Sequence, residues 1–150
     1  MEDNEIREAI YQTLTLDWTL MEMVSKENVP WNSPEGGGYK SPDNSILPMM
    51  AYDYSKMSMP IITIQIGDTV RNGFAYMETT IYIRCYNSSQ KSHYDISAIL
   101  DRVKVLLHRV PLQLSKSRFV ELTWQTTSSD SEDEAYGLPY REARFILERV

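Results

Sequence analysis

A single amphipathic helix set between two β-rich runs constrains this chain more than any other feature. From His93 to Arg109 apolar residues recur at Ile96, Ile99, Leu100, Val103, Leu106, Leu107 and Val110, steps of three and one that keep one helical face apolar. Ser92 followed by Asp95 supplies an N-cap oxygen and a first-turn acid, His108 and Arg109 suit the negative C-terminal end, and Pro111 stops the helix. A stripe of this kind must be covered. The candidates are the flanking runs, Phe74–Tyr86 and Arg118–Thr127.

Both runs alternate as half-buried strands do. Ile81, Ile83 and Cys85 share one face of the first, and Tyr82, Arg84 and Tyr86 share the other. In the second, Val120, Leu122 and Trp124 lie opposite Phe119, Glu121 and Thr123. Two further strands are expected. Pro60–Gly67 places Ile62, Ile64 and Ile66 on one face, and Arg141–Val150 does the same with Ala143, Phe145 and Leu147. Asp68 to Gly73 is expected to turn the chain, with Asn72-Gly73 as the tight element. Near the start, Ile6, Ile10 and Leu14 mark a helix over Asn4–Leu14 with Glu2, Asp3, Glu5 and Glu8 at its positive end. Continuing that helix would bring Asp17 onto the apolar face, so a break at Thr15–Asp17 is expected, with Asp17 capping a shorter segment through Val24.

The expected fold class is α+β: a mostly antiparallel four-stranded sheet of two β-hairpins, helices packed on one face, order α-β-β-α-β-β. At 150 residues the chain is expected to form a single domain, 1–150. Residues 25–59 are expected to form a long irregular loop or arm, because they hold four prolines and the triplet Gly36, Gly37 and Gly38. That stretch also carries Met49, Met50, Met57 and Met59. Two readings stay open for it: a loop folded onto its own core, or an arm packed on a neighbouring subunit. The aromatic and basic set Tyr82, Arg84 and Tyr86, with the four methionines, forms the candidate subunit interface.

Charge and chemistry narrow the function by exclusion. With 15 basic and 21 acidic residues the net charge is −6, which disfavours binding to nucleic acid or to an anionic membrane through a basic footprint. No apolar run reaches the ~18 residues of a membrane helix. The first residues, MEDNEIRE, lack the order of a signal peptide, so a soluble, non-secreted chain is expected. His93 and His108 lie about four turns apart on one helix and cannot share a metal unaided. Cys85 falls within the apolar set and reads as a buried small hydrophobe. The glycine triplet lacks the Gly-Lys-Ser/Thr ending of a phosphate loop, and the acidic run Asp130, Glu132, Asp133 and Glu134 lacks the order of a calcium loop. That run reads first as a solvated turn, with a channel- or tube-facing acidic loop as the sharper alternative. No catalytic set, metal site or cofactor site is expected.

Several segments taken together resemble the tail completion (tail terminator) proteins of long-tailed bacteriophages. They are IREAIYQTLTLDWTLMEMV with its mid-helix Asp17, the central IYIRCYNSSQKSHYDISAILDRVKVLLHRVPLQL, the acidic break SSDSEDE and the final REARFILERV. Strand, short polar linker, helix and a small loop carrying Pro-Leu is that family's usual centre. Residues 25–59 depart from the pattern, being longer and richer in Met and Pro. The resemblance implies a non-enzymatic virion protein without cofactor, assembled in the host bacterial cytoplasm. It would form a ring, usually of six subunits, at the head-proximal end of the tail tube. Its implied partners are itself, the tail tube protein and the neck or head completion proteins. DNA would pass through the ring without specific binding, and no membrane partner is implied. The competing expectations are a head–tail connector (adaptor, stopper or neck protein) and a small ligand-binding or enzymatic α+β domain.

Overall fold

The computed structural model describes residues 2–24, 46–47, 59–72, 76–88, 93–115, 118–135 and 137–149. Its elements, in chain order, are α1 (Glu2–Thr15), α2 (Trp18–Met23), β1 (Ile46–Leu47), β2 (Ile61–Asn72), β3 (Tyr76–Tyr86) and α3 (His93–Leu107). They are followed by β4 (Leu112–Ser115), β5 (Arg118–Val120), β6 (Leu122–Thr127), β7 (Ser131–Glu132) and β8 (Pro139–Arg149). The class is α+β with a largely antiparallel sheet. Among the described residues the sheet has six strands where four were expected, in the order β1-β2-β3-β8-β6 with β7 also on β8, and β4 and β5 form a separate two-stranded ribbon.

Register follows from which side chains must be buried. Ile62 lies opposite Cys85, Ile64 opposite Ile83, Ile81 opposite Phe145 and Ile83 opposite Ala143, so the inner face is a continuous apolar surface. Leu122 and Trp124 extend it across β8 to Leu147 and Phe145. The apolar stripes of the helices meet this surface in one core: Ile6, Ile10 and Leu14 of α1, Leu20 of α2, and Ile96, Ile99, Leu100, Val103 and Leu107 of α3. Each fully buried side chain of this size contributes about 1.5–3 kcal/mol relative to exposure. Cys85 belongs to this core, and burial pushes its thiol pKa well above the ordinary value. It is a packing residue.

Four sequence expectations change in the structure. The turn expected at Asp68–Gly73 is instead a continuation of β2 to Asn72, with a bulge between Ile66 and Thr69. The bulge keeps Thr69 in register with Thr79, and their hydroxyls are 2.7 Å apart. Gly67 is needed there, since a Cβ on it would lie 2.7 Å from the Tyr82 ring and 3.0 Å from the Thr80 carbonyl oxygen. The strand expected over 119–127 is divided. Residues 118–120 pair with β4, which was not foreseen and which lies against α1, and only Leu122–Thr127 joins the main sheet. Within the expected 25–59 loop, Ile46–Leu47 adds a parallel strand to β2. The acidic run likewise holds a short strand, β7, paired with Pro139 and Tyr140, so the last strand starts at Pro139 and not at Arg141. Ser92 and the Gly73 turn lie outside the described residues.

Helix α3 ends at Leu107, two residues before the expected limit, because the next residues serve the sheet edge. Arg109 takes the left-handed conformation (φ 56°), and its N–H donates to the Leu122 carbonyl at 2.8 Å. The Trp124 N–H donates to His108 Nδ1 at 2.9 Å. The outward groups of β6 at these two positions are thus occupied by the helix terminus, which blocks pairing with another strand there. Replacing His108 with Ala is expected to cost about 1 kcal/mol in urea denaturation. It is also expected to raise aggregation on heating, read by light scattering, because Trp124 N–H is left open on an edge.

Asp17 fills the role its position suggested. Its side chain accepts from Leu20 N–H at 2.8 Å, which caps α2, and the same carboxylate receives Arg102 of α3 in a two-pronged pair at 2.7 and 2.9 Å. The Arg102 hydrogen bond, opposed by burial and aided by the Leu20 N–H, holds the Asp17 pKa below its ordinary 3.8. Loss of the cap in Asp17→Ala is expected to lower stability by about 1 kcal/mol at pH 7. A carboxylate with a lowered folded pKa stabilises above its unfolded pKa, and that contribution disappears as pH falls through the folded value. Denaturation of parent and variant should therefore differ fully above pH ~4 and converge in stronger acid.

Candidate interaction surface

The sheet face turned away from the helices holds the chemistry. Cross-strand register sets Arg84 opposite Glu142, Tyr82 opposite Arg144 and Tyr86 opposite Tyr140. Alternation on β3 and β8 delivers these six residues to one face while Ile81, Ile83, Ala143 and Phe145 go to the other. Glu142 is 6% exposed, and its two carboxylate oxygens are taken by different arginines: Arg84 Nε at 2.7 Å and Arg144 Nε at 3.1 Å. Arg84 also donates to the Tyr86 hydroxyl at 3.1 Å and lies over the Tyr140 ring at 4.6 Å. Arg144 lies 5.5 Å from the centre of the Tyr82 ring.

The electrostatics of this cluster follow from one carboxylate serving two guanidinium groups. Burial alone would disfavour the Arg84 charge. Hydrogen bonds to Glu142 and Tyr86, with the attraction of Glu142, outweigh it and raise the Arg84 pKa above its ordinary value. Two arginines against one glutamate leave one positive charge in excess on this part of the face. Arg144 carries it outward, its side chain 48% exposed against 24% for Arg84. Farther along, Glu78 lies opposite Glu148. Glu148 lies four positions along β8 from Arg144, about 13 Å, more than a Debye length at physiological salt. The positive region is therefore local.

The residues singled out in the sequence divide in three ways. Tyr82 and Arg84 lie half-buried on the outer face. Tyr86 has the expected orientation but not the expected exposure. It is fully buried with Ile61, packed by Met59, Leu138 and Tyr140, with the Tyr86 and Tyr140 rings 5.3 Å apart. It lies at the sheet end where residues 138–140 close over it, and burial raises its pKa despite the Arg84 hydrogen bond. Met59 is half-buried against the same cluster, whereas Met49, Met50 and Met57 lie outside the described residues.

The acidic run is likewise not uniform. Asp130 is paired with Arg141 at 2.5 Å. Asp133 is half-buried in the turn, where its backbone N–H donates to Leu138 O, its carbonyl accepts from Gly137 N–H, and its carboxylate accepts from Ala135 N–H. Glu132 and Glu134 are exposed, and neither has an ion-pair partner among the described residues. Gly137, at φ 67°, makes the turn that presents them. The sequence reading missed Glu142, Arg144 and Tyr140. Their signal was present in YREARF, where polar residues at 140, 142 and 144 alternate with Ala143 and Phe145.

No cluster of three or more His, Cys, Asp or Glu side chains able to hold a metal occurs among the described residues. A shallow groove of about 310 Å³ lies between α1 and β4, lined by Glu5, Glu8, Gln12, Gln113 and Leu114 among others. Its Glu8 carboxylate already accepts from the Gln12 amide at 3.1 Å.

No protein-family model matches the sequence, and no curated protein matches it. Among solved structures the chain is similar in fold to a chain of the virion of a native gene transfer agent (GTA) particle. The two are 15% identical, the TM-score is 0.64, and the superposition covers 95% of this chain and 92% of that one.

Glu142 holds the outer face together. Glu142→Ala is expected to cost about 3 kcal/mol, because two guanidinium groups lose their shared partner in a partly buried setting. In combination with Arg84→Met the total loss should fall short of the sum of the single changes, which a double-mutant cycle by urea denaturation would measure.

Proposed function

We propose that this chain is a structural component of a phage-like virion, and specifically the tail terminator that forms a ring at the head-proximal end of the tail tube. The similarity of fold to a chain of the gene transfer agent virion, nearly end to end in both chains, carries the first part. The second part is supported by the segments that resemble tail completion proteins: the first helices with Asp17 at their joint, the central strand and helix, and the acidic break before the last strand. In this reading the chain has no catalytic task and no cofactor. It acts by shape: a rigid helix-backed sheet joins its neighbours in a ring, and the ring stops addition of tube subunits and offers its other surface to the neck.

Deleting the gene from a particle-producing strain tests this reading. Electron microscopy is expected to show tails of uncontrolled, excessive length beside filled heads. Full heads lacking tails would instead assign the chain to the connector between head and tail, and unchanged particles would exclude both roles.

A further inference from the structure

The outer sheet face and the acidic tip are chemically complementary, and each keeps charged groups with bonding capacity unused among the described residues. Arg144 uses Nε on Glu142, and its two terminal nitrogens make no further hydrogen bond among the described residues. Tyr82 lies beneath it as an aromatic floor. Such a guanidinium, half-exposed and already held at one nitrogen, accepts a second carboxylate with little further loss of side-chain freedom. On the same chain Glu132 and Glu134 stand exposed on the β7–β8 turn, while Asp130 and Asp133 are engaged with Arg141 and the turn backbone.

From this we infer that the Arg144–Tyr82 face of one copy binds the Glu132–Glu134 tip of the next. The proposal rests on the reading of the chain as a self-assembling virion component and names the contact that reading lacks. The occupant is a second copy because the same sequence carries both halves of a matched charge pair. The two halves are distinct patches, and repeated in one direction around the ring of the proposed reading the contact is head-to-tail, the kind that propagates into a closed ring or a filament. Glu142 has a second role here. By neutralising one arginine it leaves a single positive charge on the face, enough to orient an acidic tip without making the surface a general anion binder.

The test uses two purified full-length chains, one with Thr126→Cys, an exposed position on β6 opposite Arg144, and one with Ala135→Cys. The native Cys85 is buried and silent. Under mild oxidation an intermolecular disulfide is expected in the mixture, well above the level in either chain alone. Adding Arg144→Glu to the first chain should lower its yield about tenfold or more, and adding Glu132→Lys with Glu134→Lys to the second should restore it. Thermal melts of each variant separate loss of contact from loss of fold. No disulfide above the single-chain levels, or no rescue by the paired reversal in folded proteins, overturns the contact. That result leaves the gene-deletion phenotype untouched, and a normal deletion phenotype would likewise leave the disulfide result standing.

Discussion

One face of the sheet has to be kept from water, and the arrangement of the molecule follows from how the helices do it. Ile62, Ile64, Ile81, Ile83, Phe145 and Leu147 form a surface too large for any single helix of this chain. Three short helices share the work, and their mutual placement becomes a requirement of the fold. The Asp17–Arg102 pair ties the α1–α2 joint to α3 with one carboxylate that also caps α2. The end of α3 is tied in turn to β6 by His108 and Arg109. The helical layer is thereby linked to the sheet by directional bonds at two points as well as by non-directional apolar contact.

Covering the inner face leaves the outer face free to be polar. A strand pair with strict alternation can carry an apolar core on one side and an unrelated chemistry on the other. Here the other side is a buried carboxylate between two arginines, each set against a tyrosine ring. Salt bridges in such a setting contribute little net stability, because desolvation offsets most of the attraction. Their effect is to fix side-chain geometry. An arginine held by Glu142 and backed by Tyr82 is a preorganised surface group, and preorganisation reduces what a contact loses in side-chain entropy.

Under the proposed reading, as a self-assembling virion component, this division has a use. Subunits of a ring need a rigid body and two different surfaces that match each other. Among the described residues, the groups whose pKa departs from its ordinary value belong either to the core, as with Cys85 and Tyr86, or to ion pairs between elements, as with Asp17 and Arg84.

Periodicity by itself determined the helices, their buried stripes and the inner faces of β2, β3 and β8, because burial of one face imposes a repeat of 3.6 or 2 that any fold must respect. It also placed Asp17 at a helix start, since a carboxylate cannot stay on an apolar stripe. Only the tertiary structure decided what lies beside what. The bulge that carries β2 past Asp68 depends on Gly67 meeting Tyr82 across the ladder, and the early end of α3 depends on β6 offering Leu122 and Trp124 to its last residues. Tyr86 has the alternation of a surface residue and the burial of a core one because Tyr140 and Leu138 close over it from 52 or more residues away in the chain. The Arg84–Glu142–Arg144 cluster is of the same kind: its members are ordinary charged residues in sequence, and they become a site only when antiparallel register brings two strands 58 residues apart into contact.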